Sequence, residues 1–149
     1  MSGIAALFGV LSMATAPVQE ADKEFDCSNP GSTLAMNECM AGSLMQQKDA
    51  LRAYLDLAYV KLRGEGQANV EPLIVSIEEN QKAWEAYAQG ACGSVWDYWG
   101  EGTIRNYMSG NCQTDLTRER MHHIWREYLI ANDGDPLAYP EPPRGGDVN

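Results

Sequence analysis

Four cysteines, Cys27, Cys39, Cys92 and Cys112, carry the most distinctive chemistry in this chain. An even count suits disulfides, which persist in oxidising compartments. Three pairings are open to four cysteines. Closure of short local loops favours Cys27–Cys39 and Cys92–Cys112, and loops of this size stabilise a fold by about 3 kcal/mol on the chain-entropy argument. Structural zinc needs reduced thiols at C-x-x-C-like spacing, and that spacing is absent. Oxidised cysteines also leave no thiolate nucleophile.

The second chemistry is recognition. Trp96, Asp97, Tyr98, Trp99, Glu101 and Arg105 all fall between Cys92 and Cys112. Aromatic rings with arginine anchor protein interfaces, because they bury large areas and still form hydrogen bonds. A disulfide at the base of such a segment lowers the entropy lost on binding. The competing reading is that these rings fill the core where helices meet.

Other residues offer less. His122 and His123 are neighbours, so on a helix their side chains point about 100° apart and do not readily share a metal. Glu119 and Glu127 are the nearby acids that could complete such a site. Met36, Met40 and Met45 are thioethers of the kind that hold Cu(I), but methionine also fills loosely shaped cores. No nucleophile elbow, metal triad or Gly-rich phosphate loop is present, so the chain is read as a non-enzyme without metal or cofactor.

Helices must position these groups. Asn29-Pro30-Gly31 is a turn signal, and Ser32 or Thr33 can cap a helix after it. Leu51, Leu55, Ala58, Tyr59 and Leu62 share one helical face, opposite Lys48, Arg52, Asp56 and Arg63. Gly64-Glu65-Gly66 ends that helix. Pro72 suits the first turn of a second helix, whose apolar stripe reads Leu73, Ile77, Trp84, Tyr87 and Ala91. Gly90 and Gly93 predict a break there, followed by an irregular or helical excursion over 93–112. A third helix is expected from about Gln113 to Ile130, stopped by Asn132-Asp133-Gly134-Asp135-Pro136. The expectation is an all-α, disulfide-stapled bundle of three main helices with a short excursion between helices 2 and 3.

The ends read differently. Residues 1–16 resemble a signal peptide: Ile4 to Leu11 is apolar, and Ser12 and Ala14 form a small pair before a cut. The apolar run is too short for a membrane anchor. The helical domain is expected over 25–131, and residues 132–149 as a Pro- and Gly-rich flexible tail. The chain has 149 residues and a formal net charge of -10, which suits one domain and excludes a nucleic-acid partner needing Lys and Arg. Such acidity suits a basic protein partner, or simply solubility.

Several short motifs occur in one order. Cys27 and Cys39 flank a helix start, and Leu55-x-x-x-Tyr59 follows. Next come Gln81-x-x-Trp84-x-x-Tyr87, Cys92, Gly102-Thr103-Ile104-Arg105 and Cys112-x-x-x-Leu116-Thr117-x-x-Arg120. This constellation resembles the LprI-like lysozyme-inhibitor domain family, small exported bacterial proteins, over roughly residues 25–130. The resemblance implies a helical, disulfide-bonded domain in the periplasm or outside the cell. It also implies a protein partner, with inhibition of basic c-type lysozyme as the activity; occlusion of that enzyme's cleft is the part the aromatic segment would play. Gln81, Trp84, Tyr87, Gly102, Thr117 and Arg120 carry the family motif and read as structural, with Arg120 expected under the Gly102 turn. Members usually carry Arg-Asp where this chain has Ala88 and Gln89, and an acidic residue near Arg52. The alternative function is an envelope structural or assembly protein with no lysozyme target.

Overall fold

A computed structural model describes residues 26–130 and 139–144. The proposed signal segment lies outside the described residues. Among the described residues there are three helices and a π-helical turn after the third: α1 Thr33–Gly64, α2 Val70–Tyr98, α3 Arg105–Ile124 and the turn Trp125–Leu129. The architecture is all-α, as the periodicity requires, and both favoured disulfides are present.

Ser32 starts α1. Its backbone is extended, and its hydroxyl accepts from the Ala35 N–H at 3.2 Å, satisfying one of the orphan donors of the first turn. Lys61 and Arg63 sit in the last turn, where cations complement the helix dipole. Gly66 then takes φ +66, a conformation that lets the chain reverse with little strain. Arg63 clamps the start of α2 by donating to both carboxylate oxygens of Glu71, at 2.8 and 3.2 Å. This pair is exposed, so it orients more than it stabilises.

α2 does not break at Gly90 and Gly93. It runs through both to Tyr98. Each glycine costs a helix about 1 kcal/mol relative to alanine. Cys92 offsets this: it is wholly buried, joined to Cys112, and its carbonyl accepts from the buried Ser109 hydroxyl at 2.9 Å. Gly100, just past the Trp99 cap of α2, takes φ +53 and turns the chain away. α3 begins at Arg105, so the expected excursion contracts to a tight turn over 99–104.

α3 lies between α1 and α2, which diverge from the 65–69 turn and touch each other little. Leu51, Leu55, Ala58 and Leu62 of α1 meet Ile74 and Ile77 of α2 and Met121, Ile124 and Leu129 of the last segment. That apolar core occupies one end of the bundle. At the other end the buried groups are small or polar, among them Ala35, Ala88, Ser109 and Thr114. There α1 and α3 approach so closely that a Cβ on Gly110 would stand 2.6 Å from Met40 Cγ. Both disulfides lie at this second end, where crosslinks substitute for apolar area.

Candidate partner-binding surface

The turn over 99–104 presents the aromatic residues at the disulfide-stapled end of the bundle. Trp96 and Tyr98 ride on the last turn of α2, and Trp99 caps it. They do not fill the core. Tyr98 is 84% exposed, Trp99 40% and Trp96 37%. Asp97 and Glu101 are exposed beside them. Large rings left in water at one site are the usual signature of a binding surface.

The surface is braced from below. Arg105 donates from Nη1 to the Gly100 carbonyl at 2.7 Å and lays its guanidinium 4.0 Å over the Trp96 ring. Trp96 donates from Nε1 to Asn106 Oδ1 at 3.0 Å. Tyr98 and Trp99 pack edge to face with centroids 6.0 Å apart. Gly102 closes the turn: its N–H donates to the Trp99 carbonyl at 3.1 Å, and its own carbonyl accepts from Arg105 N–H at 3.1 Å. Asn37 of α1 donates to the Thr103 carbonyl at 3.4 Å. The rings are therefore held before any partner arrives, which reduces the ordering cost of binding.

The motif residues lie elsewhere. Gln81 and Arg120 are buried together at mid-bundle, where Arg120 Nε donates to Gln81 Oε1 at 2.9 Å. Arg120 thus does not lie under the Gly102 turn. No carboxylate pairs with it among the described residues. Burial pulls its pKa below the ordinary arginine value, and the half-buried Trp84 ring is 6.0 Å away. Gln81 also donates to Glu85 Oε1 at 3.1 Å. Tyr87 is 61% exposed, so the expected α2 stripe is rotated: the buried face is Ile74, Ile77, Gln81, Ala88 and Cys92. The physical reason is that α2 packs mainly on α3, and the face it buries carries Ala88 and Cys92 rather than Tyr87. Thr117 is buried and donates to the Gln113 carbonyl at 2.7 Å.

The methionines separate. Met40 packs on Gly110 and Thr114, whereas Met45 is exposed. Among the described residues no group of three His, Cys, Asp or Glu side chains could hold a metal. His122 faces Glu141 at 2.9 Å, while His123 sits near Arg126 and Arg120. Burial first, and then the Arg120 cation, hold the His123 pKa below its ordinary 6.5. The folded state therefore favours neutral His123, and this contribution is complete above about pH 6.5 and lost as pH falls through the lower folded pKa. The melting temperature is expected to fall between pH 7 and about pH 5, and to fall less in His123→Gln.

Sequence reasoning missed one contact. Residues 139–144, inside the segment expected as a tail, lie back on the bundle. The Tyr139 carbonyl accepts from Trp125 Nε1 at 2.9 Å, the Pro140 carbonyl accepts from the Tyr54 hydroxyl at 2.7 Å, and Pro142 is buried. Tyr139 in that segment was the available signal.

The family model described as "Lysozyme inhibitor LprI" matches residues 26–123, from before α1 to within the last turn of α3. Neither the curated proteins nor the solved structures give a match.

Proposed function

Because the chain belongs to the LprI lysozyme-inhibitor family, we propose that it is an exported protein-binding domain. In this reading it inhibits a c-type lysozyme by seating the aromatic turn in the enzyme's cleft. The observation that carries the reading is the exposure of Trp96, Tyr98 and Trp99 together on a braced turn. Retaining glycosidases work with two carboxylates in a cleft that must admit a sugar chain. Rings that stack where sugars stack would occlude it. Arg105 is committed to the Gly100 carbonyl and Trp96, so its part is to brace the turn. The formal net charge of -10 is of the sign that attracts a basic enzyme. Disulfides fit an oxidising compartment outside the cytoplasm, and no described helix is long and apolar enough to cross a membrane.

The test is inhibition of a c-type lysozyme by the oxidised protein at low and at moderate salt. Inhibition is expected to weaken with salt, because screening removes electrostatic steering. Trp99→Ala is expected to raise the inhibition constant by about thirtyfold, the effect of losing an interface hot spot worth about 2 kcal/mol, with helicity unchanged. An absence of inhibition at micromolar protein would sink the lysozyme target and favour an envelope structural or assembly partner.

A further inference from the structure

The divergence of α1 and α2 opens a cleft of about 490 Å³, floored by α3 and lined by none of the residues of the aromatic turn. We propose that this cleft binds a small organic carboxylate whose body is apolar on one side and carries an amide. The inference does not rest on lysozyme inhibition, since the cleft shares no residue with that surface.

Size is the first argument. Pockets of roughly 300–1,000 Å³ are those that enclose small organic ligands. The second is the sign of the charge. Lys48 and Arg52 stand one turn apart on α1 at the lining of the cleft. Lys48 Nζ donates to the neutral Gln113 Oε1 at 3.3 Å, and neither cation forms an ion pair among the described residues. In a chain of formal net charge -10, these two cations outweigh Glu85, the one carboxylate of the lining, and leave a positive field at the cleft. A cleft with low-dielectric walls concentrates that field on whatever enters. A carboxylate is the ligand group that two such cations recognise, and Arg52 can take it with two parallel hydrogen bonds.

The remaining lining fixes the body of the ligand. Leu51, Leu55 and Ala88 are buried apolar surfaces, and the half-buried Trp84 adds an indole. Gln89 brings a carboxamide donor and acceptor, and Gln113, whose oxygen accepts from Lys48, adds an amide donor, which together match an amide bond in the ligand. A polyphosphate would meet only two cations and would face Glu85, the one carboxylate in the lining.

The probe is N-acetyl-L-phenylalanine, titrated into the oxidised full chain and followed by two-dimensional proton–nitrogen NMR. Saturable shifts are expected at the Trp84 indole N–H and the Gln89 and Gln113 side-chain amides. The neutral N-acetyl-L-phenylalaninamide should bind about tenfold more weakly, a loss of about 1.4 kcal/mol. Arg52→Glu, at an exposed position, should weaken the acid by at least about tenfold with unchanged helicity. Ala88→Phe should fill the cleft and abolish the shifts. The proposal is overturned by equal binding of acid and amide, or by wild-type affinity in Arg52→Glu. It is equally overturned by shifts centred on Trp96 and Trp99, or by no saturable shift at millimolar probe.

Discussion

Replacing Cys92 and Cys112 together by alanine is expected to cost about 3 kcal/mol of unfolding free energy, read as a lower urea midpoint with a somewhat steeper slope, because the unfolded chain without the crosslink exposes more surface. The loop closed by this bridge spans a sequence separation of 20, and that of Cys27–Cys39 spans 12. Chain entropy alone makes the two nearly equal, because the term grows only with the logarithm of loop length. Their consequences should differ. Cys92–Cys112 holds the end of α2 against the start of α3, on either side of the aromatic turn. The apolar core lies at the far end, around Leu55, Ile77 and Ile124. Amide exchange in Cys92→Ala/Cys112→Ala should therefore quicken most over 93–112, while those core helices keep most of their protection. Inhibition of lysozyme should be lost with the turn, whereas Cys27→Ala/Cys39→Ala should lower stability and retain inhibition. A uniform loss of protection in the Cys92→Ala/Cys112→Ala protein would show one cooperative unit and refute the local role assigned to the bridge.

The same division explains what could be read in advance. Ser32, the Gly66 reversal and the α1 face of Leu51, Leu55, Ala58 and Leu62 depend on local chemistry, and local chemistry is visible in sequence. The cysteine pairs were legible because each partner lies close along the chain. The continuity of α2 was not, because a disulfide and a buried Cys92 override two glycines whose local preference is the opposite. Its buried face was ambiguous for a related reason. Both sides of α2 carry apolar residues, and only the placement of α3 decides between the Tyr87 side and the Ala88 side. At the aromatic turn the residue types were legible but their exposure was not, since tryptophan and tyrosine suit a core and an interface alike. The cleft needed the angle between α1 and α2, which no periodicity records.

Gln81→Leu is expected to destabilise the protein by about 3 kcal/mol, more than Arg120→Met does at the partner position. The asymmetry follows from what each substitution strands. Arg120 is 8% exposed, has no carboxylate partner among the described residues, and donates from Nε to Gln81 Oε1 at 2.9 Å. Without Gln81 the Nε of a largely buried cation loses its acceptor, and a buried donor of a charged group left unpaired is among the costlier defects a fold can carry. Arg120→Met instead removes the charge and leaves a neutral amide oxygen unpaired, while Gln81 Nε2 retains Glu85 at 3.1 Å. That oxygen costs about 1–3 kcal/mol, and methionine recovers much of the packing of the arginine stem. Gln81→Leu/Arg120→Met strands neither group, so its loss should fall well below the sum of the single losses. Urea unfolding of the four proteins closes the cycle. Strict additivity, or a larger loss in Arg120→Met than in Gln81→Leu, would mean that the pair does not act through mutual satisfaction. The arrangement also accounts for a polar pair inside so small a bundle. Gln81 and Arg120 join α2 to α3 beside the cleft, where an apolar contact would leave the angle between helices less tightly specified than a hydrogen bond of fixed direction does.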